Sequence, residues 1–147
     1  MKAAKKFLAL PGCRQWLLLR SAVILATVRV GLAIFPFPVL LGLHARLTSR
    51  RSLLSRHLIL SPDHITWAVS VAGRRVPGAQ NCLVQALAGA ILLLRAGHPS
   101  LLCIGVNRSS GNPLDAHAWV ELDGRPVIGA VREHRYTCLF SWDGGWA

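Results

Sequence analysis

One cysteine and one histidine stand where acyl-transfer chemistry would need them. Cys82 follows a basic, turn-rich stretch (Arg74-Arg75-Val76-Pro77-Gly78) and opens the Ala/Leu-rich run Leu83–Arg95. A thiolate is favoured at such a loop-to-helix junction, because unpaired backbone N–H groups and the helix dipole stabilise negative charge there. His117 lies 35 residues further on, at the head of the β-like run Ala116–Leu122. A strand packed against the start of the helix would offer its imidazole as the base that activates the thiol. The backbone N–H of Cys82 would help form an oxyanion hole. Taken singly, each residue has a plainer role. A cysteine at the start of an apolar helix serves as a small core residue, and a histidine beside Trp119 serves as packing.

The other candidates carry less. Cys103 lies inside an apolar strand, Cys138 has no histidine near it in sequence, and Cys13 sits in a basic leader. His44, His57, His64, His98 and His134 fall on surface elements or loops and form no HxxxH pair. With no CxxC either, no metal or cofactor is expected.

The elements that must position Cys82 and His117 read as helices followed by an antiparallel meander. Residues 15–35 predict a helix ended by Pro36 and Pro38, with short helices at 39–48 and 52–60. Ser61-Pro62-Asp63 starts another, with Ser61 as N-cap, which Ile65, Ala68, Val69 and Ala72 continue and Gly73 closes. Leu83–Arg95 ends at Gly97 and Pro99. Leu101–Asn107, Ala116–Leu122 and Pro126–Ala130 predict strands. Arg108–Pro113 is a loop between the first two, and Asp123-Gly124 is a hairpin turn between the last two. The fold class is α+β.

The 147 residues suit one compact unit, with 1–60 an apolar, basic helical region packed on a core at 61–147. The hydrophobic fraction is 52% and the mean hydropathy +0.42. Ten of the 17 Lys and Arg precede residue 60, no acid precedes Asp63, and the net charge is +11. This polarity points to an anionic partner or a membrane surface. The spacing and aromatic–glycine motifs of nucleic-acid readers are absent, so no nucleic-acid partner is expected. Ser21–Leu43 is apolar enough to resemble a span. Arg29 near its middle would cost about 2.5–3.5 kcal/mol at the bilayer centre, and the prolines break the run, so a buried or surface-lying helix is expected. No clean signal peptide is present. The four cysteines are read as free thiols in a cytoplasmic protein, with membrane association possible.

Longer strings carry a family resemblance. Asn81-Cys82-Leu83-Val84-Gln85-Ala86-Leu87 with Leu92-Leu93-Leu94-Arg95-Ala96-Gly97 resembles the cysteine helix of the lasso-peptide leader peptidases, the microcin J-type processing family. Ile104-Gly105-Val106 resembles the strand that follows. His117-Ala118-Trp119-Val120-Glu121 with Asp123-Gly124-Arg125-Pro126-Val127 resembles the family's histidine hairpin, and Arg74-Arg75-Val76-Pro77 its approach to the cysteine. The resemblance runs from about residue 61 to 140.

It implies a transglutaminase-like, papain-related core and a cysteine peptidase that removes the leader from a ribosomally made precursor peptide. Cys82 would attack the scissile carbonyl, and His117 would activate the thiol and protonate the leaving amine. Water would then hydrolyse the thioester, and a separate lasso macrocyclase would close the ring. The first 60 residues are too apolar and too poor in β signals to be the family's leader-recognition domain, so a separate recognition protein is expected to deliver the substrate. A transglutaminase-fold amidase or acyl transferase, or a non-catalytic membrane-associated scaffold, are the alternatives. The sequence departs from the family at Gly129, which fills the place of an Asp on the return strand. The orienting group for His117 is then Asp115, two residues before it and on the same strand face, or a backbone carbonyl. Glu121 and Asp123 lie too near the turn.

Overall fold

The computed structural model describes residues 9–51, 60–107, 115–129 and 136–144. The helix expected at 52–60 (Leu60 aside), the loop Arg108–Pro113 and the strand end at Ala130 lie outside them.

Helix α1, Gly12–Ile34, starts at Pro11, whose carbonyl accepts the amides of Arg14 and Gln15 at 2.9 and 3.1 Å. It ends at Phe35, because Pro36 has no amide to continue the ladder. Leu17, Leu18, Ser21, Leu25 and Val28 form its buried face. Ser21, fully buried, gives its hydroxyl to the Leu17 carbonyl at 2.8 Å. On the opposite side Trp16, Leu19, Val23, Val30 and Ile34 are exposed. Among the described residues α1 is the one helix long and apolar enough to cross a membrane. Helix α2, Phe37–Arg51, follows after Phe35 and Pro36, and Pro38 lies in its first turn rather than ending α1. Helix α3, Pro62–Gly73, carries Pro62 in its first turn, where a missing amide costs nothing. Ser61 occupies the cap position but makes no side-chain cap bond.

Helix α4, Cys82–Arg95, is the centre of the molecule. Asn81 caps it, its Oδ1 accepting the Leu83 amide at 2.9 Å. Val84 and the whole stretch Ala86–Leu93 are buried. The small residues Ala88, Gly89 and Ala90 let the sheet come close: a Cβ on Gly89 would stand 2.1 Å from Ile128 Cδ1.

The sheet has the order β3-β2-β1-β4, every neighbouring pair antiparallel. Its strands are β1 (Leu101–Asn107), β2 (Asp115–Leu122), β3 (Arg125–Ile128) and β4 (Thr137–Trp142). The β2–β3 hairpin turns at Asp123 (φ 50°) and Gly124 (φ 74°), the two positive angles of a type I′ turn. The expectation of helices first and an antiparallel sheet after them holds. Strand β4 is an addition to it, pairing along β1 with a register shift at Ile104/Gly105.

Alternation sorts the sheet's two faces. Leu102, Ile104, Ala118, Val120, Ile128 and Trp142 face α4 and share one core with Leu25 and Val28 of α1, Leu41 of α2, and Ile65 and Val69 of α3. Asp115, His117, Trp119 and Glu121 of β2, with Cys103 of β1, therefore stand on the other face. A smaller cluster joins Leu17 and Leu18 to Ala68. Beside it the Arg14 guanidinium lies 5.9 Å above the Trp67 ring.

Candidate active site

Cys82 is the first residue of α4 and is half-buried against the main core. The Asn81 cap fixes the chain's entry into the helix, so the thiol is held beside the positive end of the helix dipole. The direction of α4 follows from two contacts: Gly89 lies against Ile128 of β3, and Leu94 against Gly144, just past β4. The helix thus crosses the sheet from the β3 side to the β4 side. Cys82, about 10 Å of helix axis before Gly89, belongs to the β3 side.

His117 is half-buried on β2, opposite Gly105 of β1. Its Nε2 lies 2.7 Å from the carbonyl oxygen of Gly129, the residue after β3. A carbonyl only accepts, so Nε2 carries the proton, and in the neutral ring the lone pair is on Nδ1. Aromatic rings fix the plane of the imidazole. Trp119 stacks beside it (centroids 6.3 Å apart, 12° between planes), and Tyr136 is tilted against it at 5.2 Å. Trp119 is held in turn by a 2.8 Å bond from its Nε1 to Glu121 Oε1.

Asp115 shares the face of His117, and its exposed carboxylate receives the Tyr136 hydroxyl at 2.5 Å. Among the described residues no hydrogen bond joins Asp115 to His117, and none joins Cys82 to His117. The structure therefore gathers His117, the Gly129 carbonyl, Tyr136 and Asp115 on one face. Cys82 lies on the helix side, toward the same β3 edge to which the imidazole turns.

Gly129 carries the feature that distinguishes this site. Its φ is +67°, and a Cβ there would meet the Ala118 carbonyl oxygen at 2.7 Å and Trp119 Cα at 3.3 Å. The place that the resemblance gives to an acidic side chain is filled by main chain. Tyr136 and strand β4 were not anticipated from the sequence. The signal for both was the run Tyr136-Thr137-Cys138-Leu139-Phe140-Ser141-Trp142, rich in aromatic and β-branched residues.

The remaining thiols have different surroundings. Cys103 is buried on the same sheet face, and burial first, then its hydrogen bond with Cys138 and the charge of Glu121, push its pKa up to about 12. Cys138 is exposed and donates to the Phe140 carbonyl at 3.2 Å; Cys13 is exposed on α1. All four cysteines are free. Among the described residues no group of three or more His, Cys, Asp or Glu side chains is placed to hold a metal ion.

No curated protein and no solved structure matches the chain. A family model described as the transglutaminase-like superfamily matches residues 22–141, from within α1 to the last residue but one of β4. That match takes in α4 with Cys82 and the strand with His117, and it spans most of the chain, which belongs to the transglutaminase-like superfamily.

Proposed function

We propose that this protein is a cysteine peptidase that removes the leader from a ribosomally synthesised precursor peptide during lasso-peptide maturation in the cytoplasm. The observation that supports it best is the imidazole of His117. Its Nε2–H is engaged by Gly129, its Nδ1 is left as the base, and it turns toward the sheet edge at which the Cys82 helix begins. Catalytic contacts tighten when substrate binds. The thiol and the imidazole lie on opposite sides of the sheet at its β3 edge, so a peptide bound along that edge would have to draw the imidazole round it to meet the thiol.

The Cys82 proton passes to Nδ1 of His117 as sulfur bonds to the scissile carbonyl carbon. Backbone N–H groups at the start of α4 hold the oxyanion. The tetrahedral intermediate collapses, the C–N bond breaks, and His117 returns the proton to the departing amine. The core peptide leaves with a free α-amine and the leader remains as a thioester on Cys82. Water then attacks, His117 takes its proton, and the leader departs as a carboxylic acid with the thiol restored. The free α-amine is the nucleophile that a separate lasso macrocyclase requires. A separate leader-recognition protein delivers the precursor.

The test is mass spectrometry of a candidate precursor, encoded near this chain's gene, after incubation with the protein and the recognition partner. Wild type is expected to release the leader and Cys82→Ala to leave the precursor intact, whereas Cys103→Ala and Cys138→Ala retain activity. Full cleavage by Cys82→Ala would remove the thiol from the mechanism. Adding hydroxylamine separates the related amidase or acyl-transferase chemistry. A leader hydroxamate formed with no leader acid in its absence would mean that an amine, not water, is the natural acceptor.

A further inference from the structure

We propose that the main-chain carbonyl of Gly129 is the group that orients His117, and that Asp115 is a positioning residue acting at one remove, by holding Tyr136 against the imidazole. The inference rests on the reading of His117 as the base.

Three observations carry it. First, among the described residues the one hydrogen bond of the imidazole is to the Gly129 carbonyl, at 2.7 Å. Second, no side chain fits at that position without backbone movement, because Ala118 O stands 2.7 Å from where a Cβ would be, and φ is +67°. A carboxylate could not replace the carbonyl there. Third, the carboxylate nearest in sequence is already engaged: Asp115 Oδ2 takes the Tyr136 hydroxyl, and the Tyr136 ring lies 5.2 Å from that of His117. Asp115 therefore sets where Tyr136 stands, and Tyr136 limits how far the imidazole can rotate.

The chemistry differs from that of a carboxylate-backed histidine. A carbonyl fixes the tautomer as well as a carboxylate does, but it carries no formal charge, and a hydrogen bond to an ionised partner is about twice as strong as one between neutral groups. The imidazolium is correspondingly less stabilised. In the proposed reaction the thiol proton passes to Nδ1 by general-base catalysis.

The tautomer can be read without any substrate. In ¹⁵N-histidine-labelled full-length protein, the His117 resonances are assigned by their loss in His117→Gln, and the spectrum is taken where the ring is neutral. The expected result is a protonated, pyrrole-type Nε2 and an unprotonated, pyridine-type Nδ1. A protonated Nδ1, or a freely exchanging mixture, would overturn the proposal. The same measurement on Cys82→Ala is expected to be unchanged, so it stands whether or not leader cleavage is the reaction. Asp115→Asn and Tyr136→Phe are expected to keep the Nε2–H tautomer but to cleave several-fold more slowly than wild type, because the imidazole is freer to rotate; unchanged rates would remove Asp115 and Tyr136 from the positioning of His117. If Asp115 were the direct partner, its amide would invert the tautomer and cost a factor on the order of 10⁴, as loss of the orienting carboxylate does in a serine triad. That outcome would replace Gly129 by Asp115.

Discussion

Replacing Gly129 by alanine tests the close approach on which the placing of His117 depends. The new Cβ has two costs. At φ +67° an L-residue is strained by about 1–2 kcal/mol. The atom also lands 2.7 Å from the Ala118 carbonyl oxygen, a backbone atom that cannot swing away, and forcing an extra methyl into such a place costs about 1–3 kcal/mol. Together these predict a loss of roughly 2–5 kcal/mol, or about 4–20 °C in Tm for a domain of this size. Gly124→Ala is the control. It has the same sign of φ (+74°), and nothing lies within 4 Å of the added Cβ, so it carries the strain alone, roughly 1–2 kcal/mol. Thermal unfolding followed by circular dichroism compares the two. Gly129→Ala should be the less stable by the steric part, and its cleavage rate should fall as the carbonyl leaves Nε2. Equal stability losses in the two variants would mean that the Ala118–Gly129 contact is not as close as described, and the orientation of His117 would lose its structural basis.

Other outcomes follow from the same geometry. Cys82→Ala and His117→Ala should each abolish cleavage and the double variant should be little worse, because members of one catalytic unit are not additive; rates for the four proteins decide it. Iodoacetamide should modify Cys82 more slowly in His117→Ala than in wild type, read by peptide mass spectrometry, and equal rates would separate the two residues. Stability should decline at alkaline pH on account of Cys103. Below the unfolded thiol's ordinary value of 9.0 both states are protonated; from there to about 12 only the unfolded chain loses the proton, so unfolding becomes easier as pH rises. Urea unfolding of wild type and Cys103→Ala across that window should show a steeper decline in wild type. The purified chain alone should process precursor slowly, and adding the leader-recognition protein should accelerate it strongly; equal rates with and without the partner would argue against a separate recognition protein.

The parts of the fold that could be read from sequence are those with local chemistry of their own. Pro36 had to end α1, Pro62 and Gly73 bracket α3, and Asp123-Gly124 supplied the two positive φ angles of the hairpin. The α4 start was legible from the change at Cys82 from a basic, turn-rich loop to an Ala/Leu-rich run, whereas the Asn81 cap was not anticipated. Strand β4 was not, because of where it lies. It is an edge strand with five of its six residues exposed and only Trp142 buried, so it lacks the alternation by which a half-buried strand announces itself. The site divides in the same way. Cysteine and histidine are chemically distinctive, and their spacing is a signal. A carbonyl is not, since every residue has one, and which of them reaches His117 depends on a positive φ and a contact with Ala118 that no local pattern encodes. The Asp115–Tyr136 bond joins residues 21 apart through strands that are not neighbours in the sheet, and it too becomes visible only in the folded chain.

Helix α1 has a consequence for how the protein is made. Its 23 residues run about 35 Å, enough to cross a hydrocarbon layer about 30 Å thick. Yet Leu25 and Val28 belong to the core with Ile65, Val69 and Leu87, so a spanning α1 would strip those residues of their cover. Insertion and folding are therefore mutually exclusive fates of one segment. The helix also leaves the ribosome before the partners that bury it. At about 5–20 residues per second the chain through Arg95 takes several seconds more to follow Ile34. During that interval an apolar helix faces either solvent or whatever lipid or chaperone is at hand. The yield of folded protein then depends on a race at the tunnel exit, which faster translation between α1 and α4 would tilt toward the packed core.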